Sequence, residues 1–157
     1  MADTAPTSKH EAEPLRGDAA RHEVQRFLDR MAKALTSGDV KTLKSLWEVP
    51  AYVLGDAQAI VVGSDEDIER FFAGAKDRYN AQGIVDTRAE IGELRWANER
   101  MAIVEVRWPY IDAQGRQAGE ETSTYTLRRD EHDALRLRIA VMHGATTQDK
   151  RIREPQH

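Results

Sequence analysis

The sequence predicts an α+β domain, with helices gathered on one side of an antiparallel sheet. Two observations lead there. Met101–Ala145 reads as three strands separated by two turns, and the chain upstream reads as helices interrupted by one short hairpin. In the first of the three strands, Ala102, Val104, Val106, Trp108 and Tyr110 alternate with Ile103, Glu105 and Arg107 over Met101–Asp112. Ala113-Gln114-Gly115 turns the chain into Glu120–Arg129, a strand rich in hydroxyls from Thr122 to Thr126. Asp130–Asp133 turns it again into Leu135–His143. Alternation of β-branched and aromatic residues with polar ones is the pattern of a half-buried strand.

The upstream elements follow in order. Met1–Asp18 has a single leucine among Ala, Thr, Pro, Glu and Lys, too little apolar surface to offset the entropy of ordering, so residues 1–18 are expected to be a mobile tail. From about Ala19 to Ser37, Val24, Phe27, Leu28, Met31, Ala34 and Leu35 recur at helical spacing. Gly38 suits a C-terminal cap, and Asp39 an N-cap for a second helix running through Trp47. Pro50 forbids its continuation. Ala51–Leu54 and Ala59–Val62 form a hairpin around Gly55-Asp56. Ser64-Asp65-Glu66-Asp67 reads as a capping box, followed by Ile68, Phe71, Phe72, Ala75 and Tyr79 on the buried face of a third helix. Ile84–Trp96 is then a long strand with a bulge at Gly92, and Asn98-Glu99 the turn into the central stretch. Phe27, Met31, Leu35, Leu46, Phe71 and Phe72 are the expected helix core.

Composition narrows the class. A chain of 157 residues, 40% hydrophobic and 32% charged, fits one soluble globular domain. No apolar run approaches the roughly 20 residues of a membrane span, and no basic-then-apolar leader opens the chain. The absence of cysteine excludes disulfides, thiolate catalysis and Cys-ligated zinc, and fits a cytoplasmic location. A net charge of −4 with interleaved signs lacks the basic face of a nucleic-acid binder.

A family resemblance is carried by several motifs in series. They are Ser37-Gly38-Asp39, Gly63-Ser64-Asp65-Glu66-Asp67-Ile68 with Phe71-Phe72, and Tyr110-Ile111-Asp112-Ala113-Gln114-Gly115. Thr124-Tyr125-Thr126-Leu127-Arg128-Arg129 and Leu137-Arg138-Ile139 leading to His143 complete the series. Over roughly Ala19–Ala145 the chain resembles the nuclear transport factor two-like superfamily, including its SnoaL-like members. The resemblance implies a single cone-shaped domain over 19–146, with a strongly curved antiparallel sheet wrapped around three helices, followed by a polar tail over 147–157. It also implies a pocket at the open end of the cone and pairing of the convex sheet faces as a homodimer. Such folds host enzymes and binding modules alike, so function is argued from the site.

The resemblance places a ligand pocket at Trp47, Tyr52, Trp96, Val106, Trp108, Tyr110, Thr122, Thr124 and Met142. It places Ile103, Arg107, Tyr125, Leu127 and Val141 on the dimer face. The alternation of the last strand alone would turn Leu135, Leu137, Ile139 and Val141 inward, whereas the resemblance turns Ala140 and Met142 inward; a bulge near Leu135 would reconcile them.

For ketosteroid-type isomerisation, the positions of the tyrosine, base and acid hold Met31, Gly55 and Thr122, which discounts that activity. Glu105-Val106-Arg107 is the nearest echo of the acid–Arg–acid relay of epoxide hydrolysis, but its phase points outward and no second acid follows; a solvated ion pair is the plainer role. The remaining catalytic candidates are Tyr52, Asp56 and His143. Asp56 is also what a turn beside Gly55 requires, and a lone strand histidine is usually structural; as a base His143 would need Glu121 or Tyr125 beside it. No histidine pair has metal-ligand spacing, and no metal or cofactor is expected.

Two classes of function stay open. One is a cofactor-independent lyase, isomerase or cyclase acting on a small hydrophobic or aromatic molecule. The other is a non-catalytic dimeric binding or assembly module.

Overall fold

The computed structural model describes residues 4–147, with side chains over 17–144. The expected tail beyond 147 lies outside the described residues. The first helix, α1 (Thr4–Ser37), reaches back through most of the segment expected as a mobile tail. Among its described side chains the buried apolar stripe runs from Ala20 through Val24, Leu28, Met31 and Ala34.

Gly38, at φ 74°, lets the chain reverse out of α1. Asp39 then caps α2 (Val40–Leu46): its Oδ1 accepts from the Thr42 amide at 3.1 Å and its Oδ2 from the Thr42 hydroxyl at 2.7 Å. Trp47, expected as the end of α2, instead opens the first strand, β1 (Trp47–Leu54), which forms the predicted hairpin with β2 (Ala59–Val62).

The expected capping box is present at α3 (Asp65–Phe72). Ser64 Oγ accepts from the Asp67 amide at 3.1 Å, and Asp67 returns to the Gly63 amide at 2.9 Å, one residue further back than the usual pattern. The expected third helix is cut in two. Gly74, at φ 75°, breaks it before α4 (Ala75–Ala81), an element with no buried residue.

The expected strand over Ile84–Trp96 divides into β3 (Ile84–Thr87) and β4 (Glu90–Trp96), both pairing with β5 (Met101–Asp112). The β4 register slips between Ile91 and Leu94, the bulge expected at Gly92. With β6 (Gln117–Arg129) and β7 (Leu135–Thr147) the sheet order is β2-β1-β7-β6-β5-β3, β4 also pairing with β5. All these pairs are antiparallel except β1 with β7, which is parallel.

The phase of β6 corrects the expected pocket and dimer face. Val106 pairs with Ser123, Val104 with Tyr125 and Ala102 with Leu127. Directly opposed residues share a face, so Ser123, Tyr125 and Leu127 turn inward and are buried. Tyr125 and Leu127 are therefore core, not dimer face, and Thr122, Thr124 and Thr126 face outward. The bulge in β7 is real. Leu127 pairs with Leu137 but Thr126 with Ile139, leaving Arg138 as an extra residue. Leu135 and Leu137 thus point inward before it, and Ala140 and Met142 after it.

Phe27, Met31 and Leu46 are buried as expected, whereas Leu35, Phe71 and Phe72 are half-buried and border a cavity. No helix among the described residues is long and apolar enough to cross a membrane.

Candidate functional site

The cavity lies between the helices and the inner face of the sheet and measures about 210 Å³. α1 supplies Met31 and Leu35, the α3–α4 segment supplies Phe71, Phe72, Arg78 and Tyr79, and the sheet supplies most of the rest. The chain has three tryptophans, four tyrosines and three phenylalanines. Of these, Trp47, Phe71, Phe72, Tyr79, Trp108, Tyr110 and Tyr125 line the cavity, leaving Phe27, Tyr52 and Trp96 elsewhere.

Those rings pack in three groups. Trp47 meets Phe72 edge-on at 5.5 Å between centroids, and Phe71 meets Phe72 edge-on at 5.0 Å. Tyr79 tilts against Tyr110 at 6.3 Å, and Trp108 meets Tyr125 at 6.2 Å. The Trp108 indole N–H donates to the Tyr125 hydroxyl oxygen at 3.0 Å, which satisfies a buried donor within the wall.

One carboxyl stands among these rings. Glu121 pairs with Trp108 in the β5–β6 register, so it shares the inward face and lines the cavity. The Tyr110 hydroxyl donates to its Oε1 at 3.1 Å, the only hydrogen bond it makes among the described residues. Burial lifts the Glu121 carboxyl above its ordinary 4.5, opposed only by the Tyr110 hydrogen bond. Burial, with the Glu121 charge nearby, pushes Tyr79 up to about 12 and raises Tyr110; burial also raises Tyr125. These phenols stay protonated and act as donors. A carboxyl with its pKa raised by burial, facing phenol donors in an apolar hollow, has the makings of an acid–base pair.

The sequence-predicted site residues divide between the two faces of the sheet. Trp47, Trp108, Tyr110 and Met142 line the cavity. Val106 is buried in the core beside it. Trp96 packs on the core edge, with the Arg129 guanidinium 5.2 Å from its ring centre. Tyr52 is 41% exposed and pairs with Val61 and Ile139 on the outer face. Asp56 lies exposed in the hairpin turn.

Thr122, Thr124 and His143 border an outer groove with Gly92, Glu105 and Arg107. There His143 Nε2 lies 2.7 Å from the Thr124 hydroxyl, so its neighbour is Thr124 and neither Glu121 nor Tyr125, which face the other way. Arg107 bridges Glu90 at 3.1 Å and Glu120 at 2.9 Å, an exposed ion-pair network. The three catalytic candidates named from sequence thus never meet in the cavity. Glu121, the carboxyl that does line it, is one residue from the threonine placed there. Among the described residues no group of three or more His, Asp or Glu is arranged to hold a metal ion.

Residues 20–146 match a family described as NTF2-like protein (DUF6841). No curated protein matches the chain. Among solved structures, an NTF2-like protein with a cystatin-like fold from Novosphingobium aromaticivorans is 17% identical, with a TM-score of 0.64, covering 95% of this chain and 92% of that one. An NTF-2 like protein of unknown function from Shewanella oneidensis is 12% identical at a TM-score of 0.61, covering 79% and 98%. Aln2 from a Streptomyces species is 20% identical at 0.62, covering 80% and 91%. At these identities the likeness is one of fold.

Proposed function

Since the chain belongs to the NTF2-like family DUF6841 through residues 20–146, we propose that its cone binds one small hydrophobic or aromatic molecule, with Glu121 as the acid–base group. The observation that carries this reading is the Glu121 carboxyl, set in an aromatic cavity with the Tyr110 hydroxyl as its partner. An apolar cavity of about 150 Å³ already accepts a benzene ring, so about 210 Å³ suits a single ring with one or two substituents.

In such a site the rings exclude water and the phenols orient a ligand oxygen or π-system. Glu121 takes up or delivers a proton without any cofactor, the chemistry of a lyase, isomerase or cyclase. Its raised pKa brings it nearer neutral pH, where one group serves in both directions.

The test is a screen of single-ring compounds by tryptophan emission and thermal shift, since Trp47 and Trp108 both border the cavity. Binding in the micromolar range is expected, weakened at least tenfold by Trp108→Ala and little changed by Thr124→Val on the outer face. If no single-ring compound moves the emission or the melting temperature, the cavity is not a ligand site.

A second reading, a homodimer through the outer sheet face serving as a binding or assembly module, draws support from the layout of charge there. With the β6 phase corrected, Ile103, Arg107 and Val141 remain on that face, joined by Thr122, Thr124, Thr126 and Ile139. Glu90, Glu105 and Glu120 with Arg107 occupy one end, and Arg95, Arg128 and Arg138 with Glu48 the other. A two-fold axis lying across the strands at the β6 threonines would bring each end against its opposite.

A further inference from the structure

Among the described residues the Glu121 carboxyl has no basic partner, and its one hydrogen bond is the one it accepts from the Tyr110 hydroxyl. Arg78, at the edge of the same cavity, is exposed and donates to the Ala73 carbonyl at 2.9 Å instead. The groups that surround the carboxyl are Tyr79, Tyr110 and Tyr125, all held protonated, and the ring of Trp108. A half-buried carboxyl with no basic partner among the described residues costs the fold stability.

The walls point the same way. An aromatic ring is negative on its faces, and several rings around a hollow make a site that favours positive charge over neutral or negative charge. Here seven rings line the cavity, and of these Tyr110 bonds the carboxyl while Trp108 lies opposite it in the β5–β6 register. Rings and carboxyl ask for the same complement: an apolar body carrying a compact cation.

We infer that the ligand of this cavity is a small organic amine, a single ring or its aliphatic equivalent bearing an ammonium group that pairs with Glu121 inside the aromatic cage. This rests on the reading that the cavity takes a ligand, and names that ligand's charge. An ammonium beside the carboxyl favours its ionised form, so the amine supplies the cation that the described residues do not place there.

The experiment compares three probes of one size on the intact chain by calorimetry and tryptophan emission: 2-phenylethylamine, 2-phenylethanol and phenylacetate. The amine is expected to bind about tenfold tighter than the alcohol, and the carboxylate not to bind measurably. Glu121→Gln, nearly isosteric, is expected to abolish the amine's advantage over the alcohol. The wild-type ranking needs no variant, so the test survives a substituted chain that fails to fold. If the alcohol binds as tightly as the amine, or if the amine keeps its advantage in Glu121→Gln, the cationic ligand is ruled out and the cavity stands as a neutral site. If none of the three binds, and other single-ring compounds fail too, the cavity reading falls and this inference with it.

Discussion

A carboxyl among aromatic rings weakens the fold more the more fully it is charged, and Glu121 exposes that relation to measurement. Its folded pKa lies above the ordinary 4.5, so between those values the folded chain holds the proton more tightly than the unfolded one. Stability then falls as pH climbs through that window. Glu121→Gln, which cannot ionise, is expected to melt above the parent at about pH 8, the gap closing as pH drops toward about 4. Thermal melts across that range check it; a gap that widens on acidification would mean the fold holds Glu121 as a carboxylate.

The Trp108–Tyr125 hydrogen bond makes a second residue-scale test. Tyr125→Phe leaves the indole N–H buried without a partner and should cost about 1–3 kcal/mol by denaturant unfolding. Thr124→Val, on the outer face, should stay within about 0.5 kcal/mol.

At this scale the sequence was hard to read because threonine suits either face of a strand. Thr122, Thr124 and Thr126 gave no sign of which way they pointed, and Glu121 entered only as a possible neighbour of His143. The usable signal was Leu127. Counting back from it in twos gives Tyr125, Ser123 and Glu121, the inward row.

Among the elements, the helices announced themselves. Apolar spacing, the Asp39 cap and the Ser64 capping box all lie where the sequence put them. The break at Gly74 did not, because a lone glycine in an apolar-periodic stretch is often tolerated within a helix. Its φ of 75° now makes it testable. Gly74→Ala forces a side chain into the left-handed region and brings its Cβ to 3.3 Å from Arg78, so a loss of about 1–2 kcal/mol is expected. Equal stability in a thermal melt would mean that α3 and α4 have merged into one helix. α4 itself has no buried residue and lends Arg78 and Tyr79 to the cavity, so the cavity's least anchored wall is also the one carrying a ring of the cage.

At the level of the molecule, α1 and the sheet share the core while the cavity occupies the open end. Leu28 is fully buried between them, and Leu28→Ala should cost about 2–5 kcal/mol by denaturant unfolding. Phe71, half-buried at the cavity edge, should tolerate truncation better than a sequence-based core assignment implies. The proposed dimer makes a separate demand. If opposite charges at the two ends of the outer face pair across a two-fold axis, association should weaken as salt rises. Sedimentation at tens of micromolar in low and high salt reads this directly, and a monomer at low salt removes the dimer.

Arg138 sits in β7 as an unmatched residue opposite β6, and that has a bearing on chain length. Excising it leaves Leu137, Ala140 and Met142 facing as before, at the expense of its contacts to Glu48 and Pro50. Excising Val141 instead would carry Met142 to the opposite side, taking one wall of the cavity outside. A single codon deletion is thus benign or ruinous according to a few residues' difference in position, and homologues one residue shorter in this strand are expected to carry their gap beside Ile139 or at His143, the other residue of β7 left unmatched opposite β6.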